Sequence, residues 1–306
     1  MIPLCIIMGA TGSGKTVLAH ALAKKIHAEI ISADSMAIYR GLDIGTAKPT
    51  DKELQEVPYH LVNIREPWES YNAGAFVDDA SVIIEKARAK SHPVIIVGGT
   101  VLYIKRLMEG IFNGPPANWQ LRDELAQRTT EDLYAQLCQV DPNAAKKIYA
   151  QDNRRIIRAL EVYLDTGIPI SQWQKEKTFA PCNYQAVYIG VERERSELYR
   201  RIEKRVDWMI DNGLIEETKR LLELPYPLSL TASQAIGYQE TILALSNPEL
   251  MPTLIDDIKC HTRQFAKRQL TWLRRFRIKW FDMNQSLDML VQKASDIWQD
   301  NTFLGF

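Results

Sequence analysis

Short runs of aliphatic and β-branched residues alternate along the chain with stretches whose apolar positions recur every three to four residues. The strand-like runs cover residues 2–8, 29–33, 60–64, 93–97 and 186–191, and helical patterns fill 15–26 and 76–90 between them. The runs are apolar throughout rather than alternating, which predicts strands covered on both faces, and strand–helix alternation predicts an α/β fold with a parallel sheet. The alternation stops near Gly110. From 113 to 185 no strand pattern recurs, several helical stretches do, and the turn-rich segments NGPPAN and FAPCNY flank them. This predicts a core domain made of residues 1–112 and 186–306, interrupted by a mainly helical insertion domain, 113–185. Beyond 191 the pattern stays helical to the end. There Leu198, Ile202, Val206 and Met209 make one apolar stripe, stopped by Asn212 and Gly213.

Composition narrows the class without choosing a function. The 306 residues carry 38 basic and 38 acidic side chains, so any affinity for a polyanion must come from where the charges lie. Cys5, Cys138, Cys182 and Cys260 form no CxxC pair, a spacing that suits neither a compact zinc site nor a disulfide framework and predicts reduced thiols in a cytoplasmic protein. No apolar run approaches the ~20 residues that span a bilayer, and the opening MIPLCIIMG is expected to be a strand rather than a signal peptide.

Chemistry enters at Gly9, Ala10, Thr11, Gly12, Ser13, Gly14, Lys15 and Thr16. GATGSGKT matches G-x-x-x-x-G-K-[ST] between an expected strand and an expected helix, which makes the core P-loop NTPase-like. Backbone N–H groups and the helix N-terminus favour phosphate, Lys15 adds a point charge, and the Thr16 hydroxyl can ligate Mg²⁺. The loop alone does not establish nucleotide hydrolysis. The strand in PVIIVGGT ends in Gly98, Gly99 and Thr100 rather than in a metal-holding Asp, whereas EIISADS does place Asp34 at a strand end, as metal holder or as base. Ligands of parallel sheets collect at the carboxyl ends of the strands, so Lys15, Thr16, Asp34, Ser35 and 98–100 are expected around one crevice. Helix capping by Asp34 and Ser35, and a simple turn at GGT, are the bland alternatives.

Basic residues cluster in three places. The segment 259–280 holds Lys259, Arg263, Lys267, Arg268, Arg274, Arg275, Arg277 and Lys279 without one acidic residue, interleaved with Trp272, Phe276 and Trp280. On a helix Arg263, Lys267 and Arg274 share a face, with Phe265, Leu270 and Leu273 on the packing side, an arrangement expected to meet a nucleic acid, the alternative being a charged helix packed on the protein's own acidic surface. The other clusters are Arg154, Arg155 and Arg158 in the insertion, and Arg200, Arg201, Lys204 and Arg205.

The ordered set GATGSGKT, ISADSMAIYRGLDIGTAKP, VIIVGGTVLYIKRLMEG, DNRRIIRALEVY, ASQAIGYQE and TRQFAKRQLTWLRR resembles the tRNA dimethylallyltransferases, also called tRNA isopentenyltransferases, of bacterial type, over nearly the whole chain. The resemblance implies transfer of a dimethylallyl group from dimethylallyl diphosphate to N6 of adenosine 37, in tRNAs reading codons that begin with U, by a monomeric enzyme using Mg²⁺. The loop at 9–16 then holds the diphosphate, Asp34 is the general base, and Thr100 sits near the reacting centre. The anticodon stem-loop contacts fall on Asp34, Ser35, Met36, Ala37, Thr100 and Arg122, on Arg154, Arg155, Ile156, Ile157 and Arg158, and on Gln234, Ala235, Ile236, Gly237, Tyr238 and Gln239. Arg122 would fill the gap left by the flipped adenine, and the insertion would clamp the stem-loop. Ala37 stands where relatives often carry Gln, and Gln234 where many carry Arg. The rivals are an adenylate isopentenyltransferase acting on free nucleotide, a nucleotide kinase, and a non-catalytic RNA-binding module.

Overall fold

The computed structural model describes residues 3–46, 48–110, 114–115, 117–176 and 184–300. The chain divides into two compact units: Met1–Met108 with Asn183–Phe306, and Glu109–Cys182. These divisions fall a few residues before those expected at 112 and 185, and the flanks 111–113 and 177–183, with Cys182, lie outside the described residues.

The first unit is built on six strands: β1 (Leu4–Gly9), β2 (Glu29–Ser32), β3 (Tyr59–His60), β4 (Val94–Gly98), β5 (Ala186–Glu192) and β6 (Lys279–Asp282). They lie in the order β3-β2-β4-β1-β5-β6, every neighbouring pair parallel. Two apolar layers sandwich the sheet. Leu4, Ile6 and Met8 of β1 point to the layer that holds Phe76, Ala80 and Ile84 of the helix Ala73–Ala89. Cys5 and Ile7 point to the other, with Leu18 and Leu22 of the helix Lys15–Ile26 and Leu290, Val291 and Ala294 of the helix Leu287–Gln299. A strand buried on both faces has no polar side to show, which is why these runs read as continuous in sequence.

Two expectations fail here. The strand expected over 60–64 stops at His60, because Leu61 and Asn63 take φ of 60° and 55° and turn the chain out of the sheet. The end of the chain, expected to be wholly helical, contributes β6. Its four residues, KWFD, place only Phe281 in the core and leave Lys279 exposed, so an edge strand hides inside a basic run. Phe281 pairs in register with Val191 of β5.

The second unit, as expected, is helical among its described residues. Its helices are Trp119–Ala126, Thr130–Val140, Pro142–Ala145, Asn153–Thr166 and Ile170–Glu176. Leu125, Leu133, Leu137, Ile156, Ile157 and Leu160 form its core. Asn118, Thr129, Asp141 and Asp152 each cap the helix that follows by accepting backbone N–H groups, and Gly167 ends Asn153–Thr166 in the left-handed region. Buried Asp141 also accepts from Ser171 N–H (2.8 Å) and Ser171 Oγ–H (2.6 Å), tying the last helix to the middle of the unit.

The backbones at the carboxyl ends of β2 and β4 approach closely. A Cβ on Gly98 would sit 2.0 Å from the Ala33 carbonyl oxygen and 2.4 Å from its carbon, backbone atoms that cannot rotate away. Ala33 N–H donates to Val97 O (2.7 Å), and Thr100 N–H to Ala33 O (3.2 Å), so the two strand ends are locked at that spacing. Gly98→Ala is expected to destabilise the protein by about 3 kcal/mol through overpacking, read as a fall in the denaturation midpoint. An unchanged midpoint would mean that the strand ends part easily.

Candidate active site

The loop after β1 turns tightly, with Ser13 N–H donating to Ala10 O (3.2 Å). Gly14 takes φ 101°, open to glycine and strained for other residues, and no side chain caps the helix Lys15–Ile26 that it precedes. The first-turn amides therefore have no side-chain acceptor and face an anion-binding position. Arginines brace the loop from outside: Arg193 Nε–H donates to Ser13 O (3.0 Å) and Arg201 Nε–H to Gly12 O (3.1 Å). On the other flank Gln269 accepts from Thr11 N–H (2.8 Å) and donates to Gly99 O (3.0 Å).

One cleft is lined by Thr11, Lys15, Thr16, Asp34, Lys48 and Arg205, with Ala37 and Gly98 also at its wall. Asp34 and Lys15 thus share a cavity, as the strand-end argument expected. The bland alternative for Asp34 also holds in part: Oδ1 accepts from Met36 N–H (2.9 Å) and Ala37 N–H (3.4 Å), so the carboxylate caps its own turn. That cap fixes the carboxylate's orientation while Oδ2 has no hydrogen bond among the described residues. Thr100 Oγ accepts from Ser35 N–H (3.1 Å) and its hydroxyl points at Ser35 Oγ (3.4 Å), binding the two strand-end loops side chain to backbone.

The electrostatics follow from burying cations together. Burial lowers the Lys15 ammonium to about 8, against the attraction of Asp34 and with the repulsion of Arg205; its Nζ donates to Ala10 O (3.4 Å). Arg205 is lowered by burial as well and held up by Asp34. Two cations whose charge burial makes costly are suited to an anionic ligand.

A buried network builds the remaining wall. Glu217 accepts from the N–H groups of Asp43 (3.2 Å) and Ile44 (3.1 Å) and from the Tyr238 hydroxyl (2.5 Å), while Tyr238 Oη accepts from Gly45 N–H (3.0 Å). Burial, then Glu217, pushes the Tyr238 hydroxyl far above its ordinary value. Lys48 Nζ donates to Asp43 Oδ1 (2.6 Å) and Asn63 Oδ1 (2.6 Å), with Arg205 donating to Gly45 O (3.4 Å). These bonds hold Asp43, Ile44, Gly45 and Lys48 in place beside the cleft.

Not every residue expected at RNA is on the surface. Ile156, Ile157, Ala235 and Tyr238 have buried side chains, because they anchor their segments in the apolar cores, and Ala37 is buried at the cleft wall. Arg154, Arg155 and Gln239 are exposed, and Ser35, Met36, Gln234 and Ile236 are half-buried. In the second unit Arg122 and Arg158 converge on fully buried Glu161, at 3.0 and 2.7 Å. Burial pushes the Glu161 carboxyl up, but the two guanidinium groups and Asn118 N–H outweigh it and hold it below the ordinary range. Arg122 also lies over the Trp119 ring at 4.8 Å.

The basic run 259–280 is partly neutralised. Its helix, Leu254–Leu273, ends before Arg274, and Lys259 and Arg263 pair with Asp207 and Glu203 of the helix Arg195–Asp211 at 2.6 Å each. Of the expected packing side, Leu273 is buried and Leu270 packs partly buried beside Ala266, whereas Phe265 is exposed and Ala266 and Gln269 are buried there in addition. Lys267, Arg268, Arg274 and Arg275 are exposed. Sequence reasoning also missed Arg205, grouped with the surface cluster, and Arg193, Lys48, Glu217 and Gln269. Spacing held no signal for them, since Arg200 and Lys204 stand i, i+4 just as Arg201 and Arg205 do.

A glycine-rich loop and a carboxylate that line one cleft, at the carboxyl ends of a parallel sheet, define a P-loop-like fold with a candidate anion site beside a carboxylate. Comparison with known proteins narrows that class. The chain belongs to the IPP transferase family, whose model matches residues 37–276. It is 45% identical over 297 residues to a tRNA dimethylallyltransferase of Thermodesulfovibrio yellowstonii, covering 94% of each chain. Among solved structures it resembles the full-length tRNA isopentenylpyrophosphate transferase of Bacillus halodurans, with 36% identity, 98% and 97% of the two chains covered and a TM-score of 0.74. It also resembles a eukaryotic dimethylallyltransferase acting on tRNA, at 27% identity and a TM-score of 0.82, over 98% of this chain and 80% of that one.

Lys15 must carry its proton to hold an anion. With its pKa at about 8, affinity for pyrophosphate is expected to be full below that pH and to fall about tenfold per unit above it, measured by calorimetry across pH 6.5–9.5 (roughly one unit either side and more). Lys15→Met should bind weakly and lose the part of the slope that belongs to the ammonium. A wild-type slope identical to that of the variant would contradict the assignment.

Proposed function

We propose that the protein transfers the dimethylallyl group of dimethylallyl diphosphate to the exocyclic N6 of an adenosine in the tRNA anticodon loop, adenosine 37 in tRNAs reading codons that begin with U, and releases diphosphate. The observation that carries this reading is the shared cleft: Lys15 and Arg205 stand on the same cavity as the Asp34 carboxylate. Family membership and the names of the relatives support the substrate class.

The chemistry needs what this cleft offers. The allylic C1–O bond breaks as N6 attacks C1, and the electron pair leaves on the diphosphate oxygen. The loop amides, Lys15 and Arg205 stabilise that growing negative charge. The N6 lone pair is delocalised into the purine, so N6 becomes nucleophilic only as its proton departs. The ionised Asp34 carboxylate accepts that proton, held in orientation by the Met36 and Ala37 N–H groups. Thr100, tied to Ser35, stands at the strand end where the bridging oxygen would lie.

Mg²⁺ fits this site only in one way. The described residues contain no group of three or more His, Cys, Asp or Glu suited to a metal, so an ion would come with the diphosphate, held by Thr16, phosphate oxygens and water. It would supply charge neutralisation on the leaving group. The adenine must be turned out of the anticodon stack to reach the cleft, at roughly a few kcal/mol. Exposed Arg154, Arg155 and Gln239 are the side chains proposed to repay this through phosphate and loop contacts. The enzyme would act as a cytoplasmic monomer.

Mass spectrometry of nucleosides from unmodified tRNA incubated with the protein and dimethylallyl diphosphate is expected to show N6-dimethylallyladenosine. Transfer to AMP alone, or phosphorylation from ATP, would replace this reading with one of its rivals. Asp34→Asn keeps the cap acceptor but cannot take the proton, so transfer should slow by about 100- to 10,000-fold while pyrophosphate binds at least as well as before. Undiminished turnover in that variant would remove Asp34 as the base.

A further inference from the structure

Gln269 lies on the buried side of Leu254–Leu273, a helix otherwise notable for exposed cations, and is only 6% exposed. Its amide spans the two loops that carry the chemistry. Oε1 takes the Thr11 N–H at 2.8 Å, and Nε2 gives its hydrogen to Gly99 O at 3.0 Å. The fit is tight from both sides. A Cβ on Gly99 would lie 2.3 Å from Nε2, and neighbouring Ala266 packs in the cluster that also holds Ala10, Leu198 and Ile202. A buried primary amide has one acceptor and one donor end, and here each end meets a backbone group that would otherwise be unpaired.

We propose that Gln269 is a positioning residue, which sets the distance between the phosphate loop and the strand end that carries Thr100. This rests on the transfer reaction proposed above and deepens it. Through Thr11 it anchors the start of the loop whose later residues hold the diphosphate. Through Gly99 it anchors the residue before Thr100, beside the carbon–oxygen bond that breaks. Leaving group and reacting centre therefore keep their register through one side chain. A second consequence is that the Thr11 N–H is withdrawn from the anion cradle, leaving it to the amides that follow, to Lys15 and to Arg205. A neutral amide satisfies both ends at any working pH. A carboxylate at this position would still accept from Thr11 but would confront the Gly99 carbonyl with negative charge, and alanine would leave both groups unpaired.

The test compares wild type, Gln269→Ala and Gln269→Glu in the full chain. Amide hydrogen exchange is followed without substrates, pyrophosphate and tRNA affinities are measured, and single-turnover transfer is timed. In Gln269→Ala the Thr11 amide should exchange at least about tenfold faster, affinities for pyrophosphate and tRNA should stay within about threefold, and transfer should slow by about thirtyfold or more. In Gln269→Glu transfer should recover toward wild type as the pH falls, because a protonated carboxyl reproduces both hydrogen bonds, a pH profile that a merely structural role would not give. Unchanged Thr11 exchange in the alanine variant overturns the proposal whatever the enzyme's substrate. So does transfer within threefold of wild type, or a loss of pyrophosphate affinity equal to the loss of rate. A wild-type protein that transfers nothing refutes the reaction instead, and leaves the exchange measurement to judge Gln269.

Discussion

Everything in the first unit is arranged around cations held in a cleft where their charge is expensive. Lys15 and Arg205 are both depressed by burial and both held up by Asp34, so the cleft is a compromise between desolvation and one attraction. Adding a diphosphate changes the balance by supplying the countercharge the cations lack. It also brings a like charge toward Asp34. Two unit charges ~6 Å apart at an effective dielectric constant of ~20 interact by about 3 kcal/mol, enough to spoil a base unless cations stand between. Lys15 and Arg205 line the same cleft as Asp34, where their charge can offset that repulsion.

The fold explains how such a site is built with so few parts. Parallel strands end together at one edge of the sheet, so the loop after β1 and the residues after β2 and β4 meet without any long excursion. Gly98 permits β4 to touch Ala33, and the Ser35–Thr100 hydrogen bond extends that contact outward. The helix Arg195–Asp211 then brings Arg201 and Arg205 to opposite tasks: one braces the outside of the phosphate loop through Gly12, the other reaches the cleft. The Glu217–Tyr238 pair fixes the facing loop from the interior, which is why a segment expected to meet RNA includes a tyrosine that is wholly buried.

Local sequence signals were legible where backbone geometry alone makes the function. GATGSGKT announces its loop because glycines and the helix start are adjacent in the chain, and Asp34 announces itself because it ends a strand. The arginine and glutamine contributions were hidden because they depend on which helix face turns inward. Lys259 and Arg263 belong to a run with no acidic residue, yet meet Asp207 and Glu203 from a helix some fifty residues earlier. Nothing local distinguishes such paired cations from the exposed Lys267 and Arg268. The strand β6 escaped for a related reason: a four-residue edge strand with one buried side chain has no periodicity to read.

The second unit applies the same economy to a different end. Arg122 and Arg158 share the buried Glu161, which orders two guanidinium groups on one carboxylate and leaves Arg154 and Arg155 exposed on the helix Asn153–Thr166. The central claim, however, concerns the cleft of the first unit, where the departing anion and the proton acceptor must meet over one allylic carbon. Crystallography with an unreactive allylic thiodiphosphate and an anticodon stem-loop tests it most directly. The expected density places the diphosphate on Lys15 and the loop amides, with the adenine N6 in hydrogen-bonding reach of Asp34. Density for the analogue elsewhere, or an adenine whose N6 faces away from Asp34, would contradict it.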